Sequence, residues 1–295
     1  MRGQVREHLS VMFPYVLIIN PRDLAMMNLI RNATVAAAAA SLMGCASVDL
    51  QQQIPGAQSV RNVVLVHGAF ADGSGWRGVY DQLTSRGYRV TIVQNPLTSF
   101  ADDVAATKRA IDRLDGPAIL VGHSWGGTII TEAGVDPKIA GLVYVSALSP
   151  DAGETTAQQY VGFTTPPEFV IDAHGDGFGF IKPSLFKAGF AADASDADAA
   201  FLRDSQVPIL LSAFEAKLTH AAWRTKSSWA VIATNDKAFD QKMLQSMARR
   251  IGANVTEVPA SHAVFMTRPR EVADVIDAAA RAVSQGAERT ASLRN

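Results

Sequence analysis

Short apolar runs and longer amphipathic stretches alternate along the chain from Asn62 onward. Runs of β-branched and aliphatic residues at Val63–Val66, Arg89–Val93, Ala118–Val121, Gly141–Val145, Trp229–Ala233 and Val255–Val258 predict strands. Between and after them, Trp76–Arg86, Ala101–Leu114, Gly126–Ala133, Gln241–Ile251 and Pro269–Ser284 read as helices. In the last of these, Val272, Val275, Ile276, Ala279 and Val283 share one face, the spacing of a helix laid on a sheet. Alternation of this kind predicts an α/β fold with a doubly wound, mostly parallel sheet of about six strands.

The run ending near Ser146 and the one starting near Trp229 lie about eighty residues apart, far more than a crossover requires. The excess predicts a helical cap insertion over about 150–225, with helical pieces near Asp196–Arg203 and Ser212–Leu218 and a glycine-interrupted loop at 175–179. Its aromatics, Tyr160, Phe163, Phe169, Phe178, Phe180, Phe186 and Phe190, suit either an apolar substrate chamber or the cap's own small core. Asp193, Asp196 and Asp198 lack the glycine and terminal glutamate of a calcium loop, and read as a solvated helix start.

Gly122-His123-Ser124-Trp125-Gly126 follows the third apolar run directly and opens the next helical stretch. A serine hydroxyl is a poor nucleophile unless a strained turn lifts it from the backbone, close to a base and to donors for a developing oxyanion. The flanking glycines permit that turn, because a Cβ there would crowd the crossing of strand and helix. Upstream, the first strand ends in His67-Gly68-Ala69-Phe70. The backbone N–H groups of Ala69 and Trp125 are therefore the candidate oxyanion hole, with Phe70 in place of Ala69 if the loop is shifted by one. His67, at the end of a buried strand, reads as a structural hydrogen-bonding group rather than a base. Downstream, Asp236 follows one strand and His262 the next, which brings both to the carboxyl edge of the sheet, where the serine also sits. Asp151 and Asp240 are the competing acids and rank behind Asp236. His123 is expected to point away from the serine, and His174 and His220 fall in the cap.

Together these residues resemble the α/β-hydrolase superfamily, and more narrowly its plant-type branch of methylesterases and hydroxynitrile lyases with their bacterial relatives. The likeness is carried by Val66-His67-Gly68-Ala69, Gly75-Trp76, the stretch from Gly122 to Gly127, the stretch from Ala233 to Lys237, and Ser261-His262-Ala263, with their supporting elements spread over Asn62 to Ala280. It implies Ser124 as nucleophile, His262 as general base and acid, and Asp236 as the group that orients the histidine. The activity it implies is a serine hydrolase cleaving small-molecule carboxylic esters through an acyl-enzyme. Two alternatives stand beside it: a lyase on the same fold, with Lys237 the nearest candidate to hold cyanide, and a tethered ligand-binding protein without catalysis. Trp125 departs from the plant enzymes, which tend to carry leucine after the serine, and its indole is expected to narrow or reshape the acyl pocket. Pro150-Asp151 resembles a recurring feature of the plant-type branch that serves a different purpose.

At 295 residues, with 48% hydrophobic and 19% charged residues, the chain can bury one sizeable core. Its net charge is −1 with no basic stripe, so nucleic acid is not an expected partner. Clustered Cys and His ligands, a dinucleotide glycine motif and a phosphate loop are all missing from the sequence, so it calls for no cofactor and no metal. Starting at Met27, Arg31, the alanine-rich run from Ala33 to Met43 and then Gly44-Cys45 resemble a bacterial lipoprotein signal. That implies cleavage before Cys45, lipid on its sulfur, and export to the bacterial cell envelope, with the anchor on the periplasmic face as the only membrane contact. The other reading is a signal of the cleaved secretory type, with Cys45 an ordinary small apolar residue. The expected organisation is a signal segment at 1–44, with translation starting near Met26 or Met27, a polar tether at 45–59, the hydrolase domain at 60–285 and a C-terminal tail at 286–295.

Overall fold

A computed structural model describes residues 59–292. The expectations for the signal segment, for Cys45 and for the tether as far as residue 58 fall outside the described residues. In chain order the main layer is β1 (Asn62–Val66), α1 (Arg77–Ser85), β2 (Arg89–Val93), α2 (Phe100–Asp112), β3 (Ala118–His123), α3 (Trp125–Ala133) and β4 (Ile139–Val145). The insertion follows, with β5 (Ile171–Ala173), β6 (Phe178–Ile181), α4 (Phe186–Phe190), α5 (Asp196–Asp204) and β7 (Ile209–Leu210). The chain then returns to the main layer with β8 (Ser227–Ala233), α6 (Gln241–Arg250), β9 (Asn254–Val258), α7 (Val264–Thr267) and α8 (Pro269–Ser292).

Six parallel strands pair in the order β2-β1-β3-β4-β8-β9. The four-residue apolar runs of β1 and β3 are buried on both faces, as a sheet covered by helices on each side requires. The strand order reverses at β1, since β2 lies on one side and β3 on the other. That reversal opens a crevice at the carboxyl ends of β1 and β3, where α/β sheets bind ligands. Val66 at the end of β1 pairs with Gly122 near the end of β3, so the loops carrying Ala69 and Ser124 leave the sheet side by side. Helix α1 packs on α8 and α2 on α3, and Ser99 caps α2 by accepting from the Asp102 N–H.

Three expectations are corrected. The cap is not purely helical, because β5, β6 and β7 form an antiparallel sheet of their own. Gly175 and Gly177 lie in the turn of its hairpin and Gly179 in β6: Gly177 has φ +86°, a backbone conformation that favours glycine, and donates to His174 O. The helix expected over Ser212–Leu218 is a single 3₁₀ stretch, Leu211–Glu215, which ends as the chain turns extended at Ala216. At the other end, α8 continues past Ser284 to Ser292, into the stretch read as a tail. Residues 287–290 of this extension are exposed and show no apolar stripe, so periodicity does not mark it. The helix expected from Asp196 is present as α5, capped by Ser195.

Candidate active site

Ser124 stands alone between β3 and α3 with φ +53° and ψ −121°, a strained conformation for a residue bearing a Cβ. Its backbone is pinned on both sides. The Ser124 N–H donates to Val145 O at 3.2 Å, and its carbonyl accepts from Gly127 and Leu148. The turn closes only because its neighbours lack side chains. A Cβ on Gly122 would lie 2.4 Å from Gly126 O, and one on Gly126 would lie 2.5 Å from Val66 O. Ala69 and Phe70 leave β1 in a tight turn in which Phe70 holds φ +60°. Among the described residues, neither the Ala69 nor the Trp125 N–H donates to another group of the protein.

Asp236 and His262 form a buried pair, with the imidazole Nδ1 2.7 Å from Asp236 Oδ2 and both side chains shielded from solvent. The second carboxylate oxygen, Oδ1, accepts from Ala238 N–H at 2.8 Å and Phe239 N–H at 2.9 Å. Because a carboxylate only accepts, Nδ1 carries a proton, and in the neutral imidazole Nε2 presents its lone pair. Nε2 is buried and has no hydrogen-bond partner, so no hydrogen bond joins it to Ser124 Oγ in this structure. The ring is held by Phe239, Phe190 and His123, with centroids 4.8, 5.0 and 4.6 Å away.

The competing groups have other partners. His67 accepts from Asn95 N–H through Nε2 and donates from Nδ1 to Gly68 O, and burial lowers its pKa, so it is a neutral structural group. His123 donates from Nε2 to His262 O at 3.0 Å, and burial holds it well below the usual histidine range. Asp151 pairs with Arg224, which lowers its pKa. Asp240 caps α6 by accepting from the Lys242 N–H. His220 and Glu132 pair at 2.8 Å, and Glu132 also accepts from the Thr219 and His220 N–H groups. Asp193 accepts from Ser261, Asp196 pairs with Lys187 and Asp198 bonds the capping Ser195, so the three aspartates face different partners. Among the described residues no group of three His, Cys, Asp or Glu side chains is placed to hold a metal ion. Lys237 lies 4.0 Å from Glu168 and does not line the cavity beside Ser124.

That cavity measures about 320 Å³. It is lined by Ser124, Ala69 and Trp125 together with Phe70, Leu148, Tyr160, Phe169, Ile171, Leu211, Phe214 and Phe239, and Glu215 is its one charged lining residue. Of the cap aromatics, Tyr160 and Phe169 face it, while Phe186 and Phe190 are core. Burial and the charge of Asp236 push the Tyr160 phenol above its ordinary range, so it is a neutral hydroxyl. A larger hollow of about 440 Å³ beside Arg61, Tyr88 and Arg281 is more polar and contains none of the candidate catalytic residues.

Sequence reasoning missed Asp103. It is fully buried on α2, where its Oδ2 accepts from the Trp125 indole N–H at 2.8 Å and its Oδ1 from the Leu97 N–H at 2.8 Å. Next to Asp102 it reads as an ordinary first-turn acid. Only its spacing from the buried Thr107 and Ile111, four and eight residues on, marks it as inward-facing. Burial pushes its pKa up to about 6, against the two hydrogen bonds that favour the ionised form. Since that lies above an exposed carboxyl, the folded chain binds more protons than the unfolded chain between about pH 4 and 6, and stability falls as pH rises through the window. Urea melts are expected to show wild type losing about 2 kcal/mol relative to Asp103→Asn between pH 4 and 7.

A parallel sheet whose crevice holds a strained strand–serine–helix turn, with an aspartate–histidine pair in the loops that follow later strands, is the framework of a hydrolase-fold protein. The chain belongs to the alpha/beta hydrolase family, whose model matches residues 63–275. The carbendazim hydrolyzing esterase of Nocardioides sp. (strain SG-4G) is 28% identical over 250 residues, covering 74% of this chain and 98% of the relative. Esterase PIR7B of Oryza sativa subsp. japonica is 25% identical over 260 residues, with 74% and 95% covered. Among solved structures, polyneuridine aldehyde esterase superposes with a TM-score of 0.65 at 19% identity, covering 74% of this chain and 98% of that one. The fold is thus shared with plant-type hydrolases as well as with a bacterial one.

Proposed function

We propose that the protein is a serine esterase acting on small, largely apolar carboxylic esters, with Ser124 as nucleophile, His262 as base and Asp236 as its orienting acid. The observation that carries this reading is the buried Asp236–His262 pair, whose free Nε2 belongs to the same sheet edge as the strained Ser124 turn. In this mechanism Nε2 takes the Ser124 proton as Oγ attacks the ester carbonyl, and Asp236 stabilises the imidazolium that forms. Nε2 and the Ser124 hydroxyl, not hydrogen-bonded in this structure, come within hydrogen-bonding distance in the complex with substrate, where catalytic contacts tighten. The Ala69 and Trp125 N–H groups hold the oxyanion, each worth about 3 kcal/mol of barrier in comparable sites. The tetrahedral adduct collapses, and His262 gives its proton to the departing alcohol. Water, deprotonated by the same nitrogen, then attacks the acyl-enzyme and releases the acid.

The cavity's aromatic lining supports an apolar acyl or alcohol group, and the names of the bacterial and rice relatives support ester cleavage. The test is a panel of short p-nitrophenyl, methyl and aryl esters, with Ser124 labelling by a fluorophosphonate alongside. Turnover together with labelling is the expected result. A serine that fails to label, with no ester cleaved, leaves a binding protein, and release of cyanide from mandelonitrile would make it a lyase.

We also propose export and lipid anchoring at Cys45, supported by the alanine-rich run and Gly44 before it. Expressed in a bacterium, the full chain is expected in the membrane fraction and Cys45→Ala in the soluble one. Equal partitioning of the two would remove the anchor.

A further inference from the structure

Trp125 carries more than a backbone amide. Its indole N–H donates to Asp103 Oδ2 at 2.8 Å, and its ring stands edge-on to Phe214 of the cap, with centroids 5.2 Å apart. Both Trp125 and Asp103 are shut off from solvent, at 1% and 0% exposure. The other Asp103 oxygen accepts from the Leu97 N–H at 2.8 Å, and Leu97 O accepts from the N–H of Leu210, on β7 of the cap, at 2.9 Å. Leu97 itself is held at φ +59°, a conformation that needs such anchoring. A continuous line of hydrogen bonds therefore runs from the cap through Leu97 and Asp103 to the indole of the residue that follows the nucleophile.

We infer that Asp103 is a positioning residue for ester cleavage: its carboxylate locks the Trp125 indole between α2 and the cap, and so fixes the first amide of α3 and one apolar wall of the cavity. The inference rests on the esterase reading. Two N–H groups converge on this spot from different elements, and a carboxylate offers each its own oxygen. An asparagine has one carbonyl oxygen, and its NH₂ would face one of the two donors. An oxyanion-hole donor works by being held in place before charge develops, so loosening the indole acts on the chemical step. Binding of a small ester that leaves the cavity mostly empty is touched far less.

The test is a double-mutant cycle with Asp103→Asn, Trp125→Phe and both together. Trp125→Phe keeps the backbone amide and an aromatic ring but removes the N–H. The readout is kcat for a short p-nitrophenyl ester per active site titrated with a fluorophosphonate, so that misfolded protein does not count. Each single change is expected to lower kcat about tenfold with KM moved less than about twofold, and the double change to cost no more than one single. Additive losses, or an unchanged kcat per titrated site in either single variant, overturn the inference. If Asp103→Asn does not fold, Trp125→Phe alone decides by the same readout. A wild-type serine that does not react with the fluorophosphonate overturns the esterase reading and this inference with it. Normal wild-type labelling and turnover with full activity in the variants overturns the inference alone.

Discussion

Ser124→Ala is expected to lower kcat for a short p-nitrophenyl ester by about a million-fold, to the background that the oxyanion donors and binding alone sustain. The fold is expected to survive the change. Ser124 contributes its backbone, not its hydroxyl, to the hydrogen bonds that close the turn, through its N–H to Val145 and its carbonyl to Gly127 and Leu148. The hydroxyl makes no hydrogen bond to another group among the described residues, so removing it leaves no buried partner unpaired. Thermal melting of the variant should therefore lie within a few degrees of wild type while turnover vanishes. Activity that persists in the variant would transfer the nucleophile to another residue.

Asp236→Asn is expected to reduce kcat by about ten-thousand-fold, whereas Asp151→Asn leaves it within about twofold. Asp236 accepts three hydrogen bonds, from the His262 imidazole and from the Ala238 and Phe239 N–H groups. An amide in its place can turn its NH₂ toward the imidazole. That favours the tautomer with the proton on Nε2, where no base is left to receive the serine proton. Asp151 is spent on Arg224 at the surface, where an exposed ion pair contributes little. Steady-state kinetics on the two variants distinguishes them, and the reverse ranking would move the acid to Asp151.

The strands of the main sheet were legible because each of the six is largely a short run of β-branched or aliphatic residues. The Ser124 turn, the first-strand loop and the two later loops were legible because each is a local motif at a strand end. The insertion was less so. Strand β7 has two residues, and β5 and β6 mix aromatics with glycine, so their pairing is decided by contacts across the cap and not by periodicity. The same holds for Phe190, which reads as a cap aromatic and in fact packs on the His262 ring from α4. Asp103 stayed hidden because an acid in the first turn of a helix already has a sufficient local explanation in the helix dipole. Trp125 was expected to reshape the pocket, and it is among the residues that line the cavity, yet what holds its indole comes from a helix that sequence spacing does not connect to it.

The loops bearing Ser124 and Ala69 spring from the middle of the sheet, whereas the histidine loop follows β9, which pairs on one side only and shows four of its five residues to solvent. Peripheral ribbons of this kind fray before a central core melts. Heating or mild denaturant would thus part the imidazole from the hydroxyl while most of the architecture still stands, and inactivation would run ahead of unfolding as a sensitive gauge of whether the outermost rung is docked.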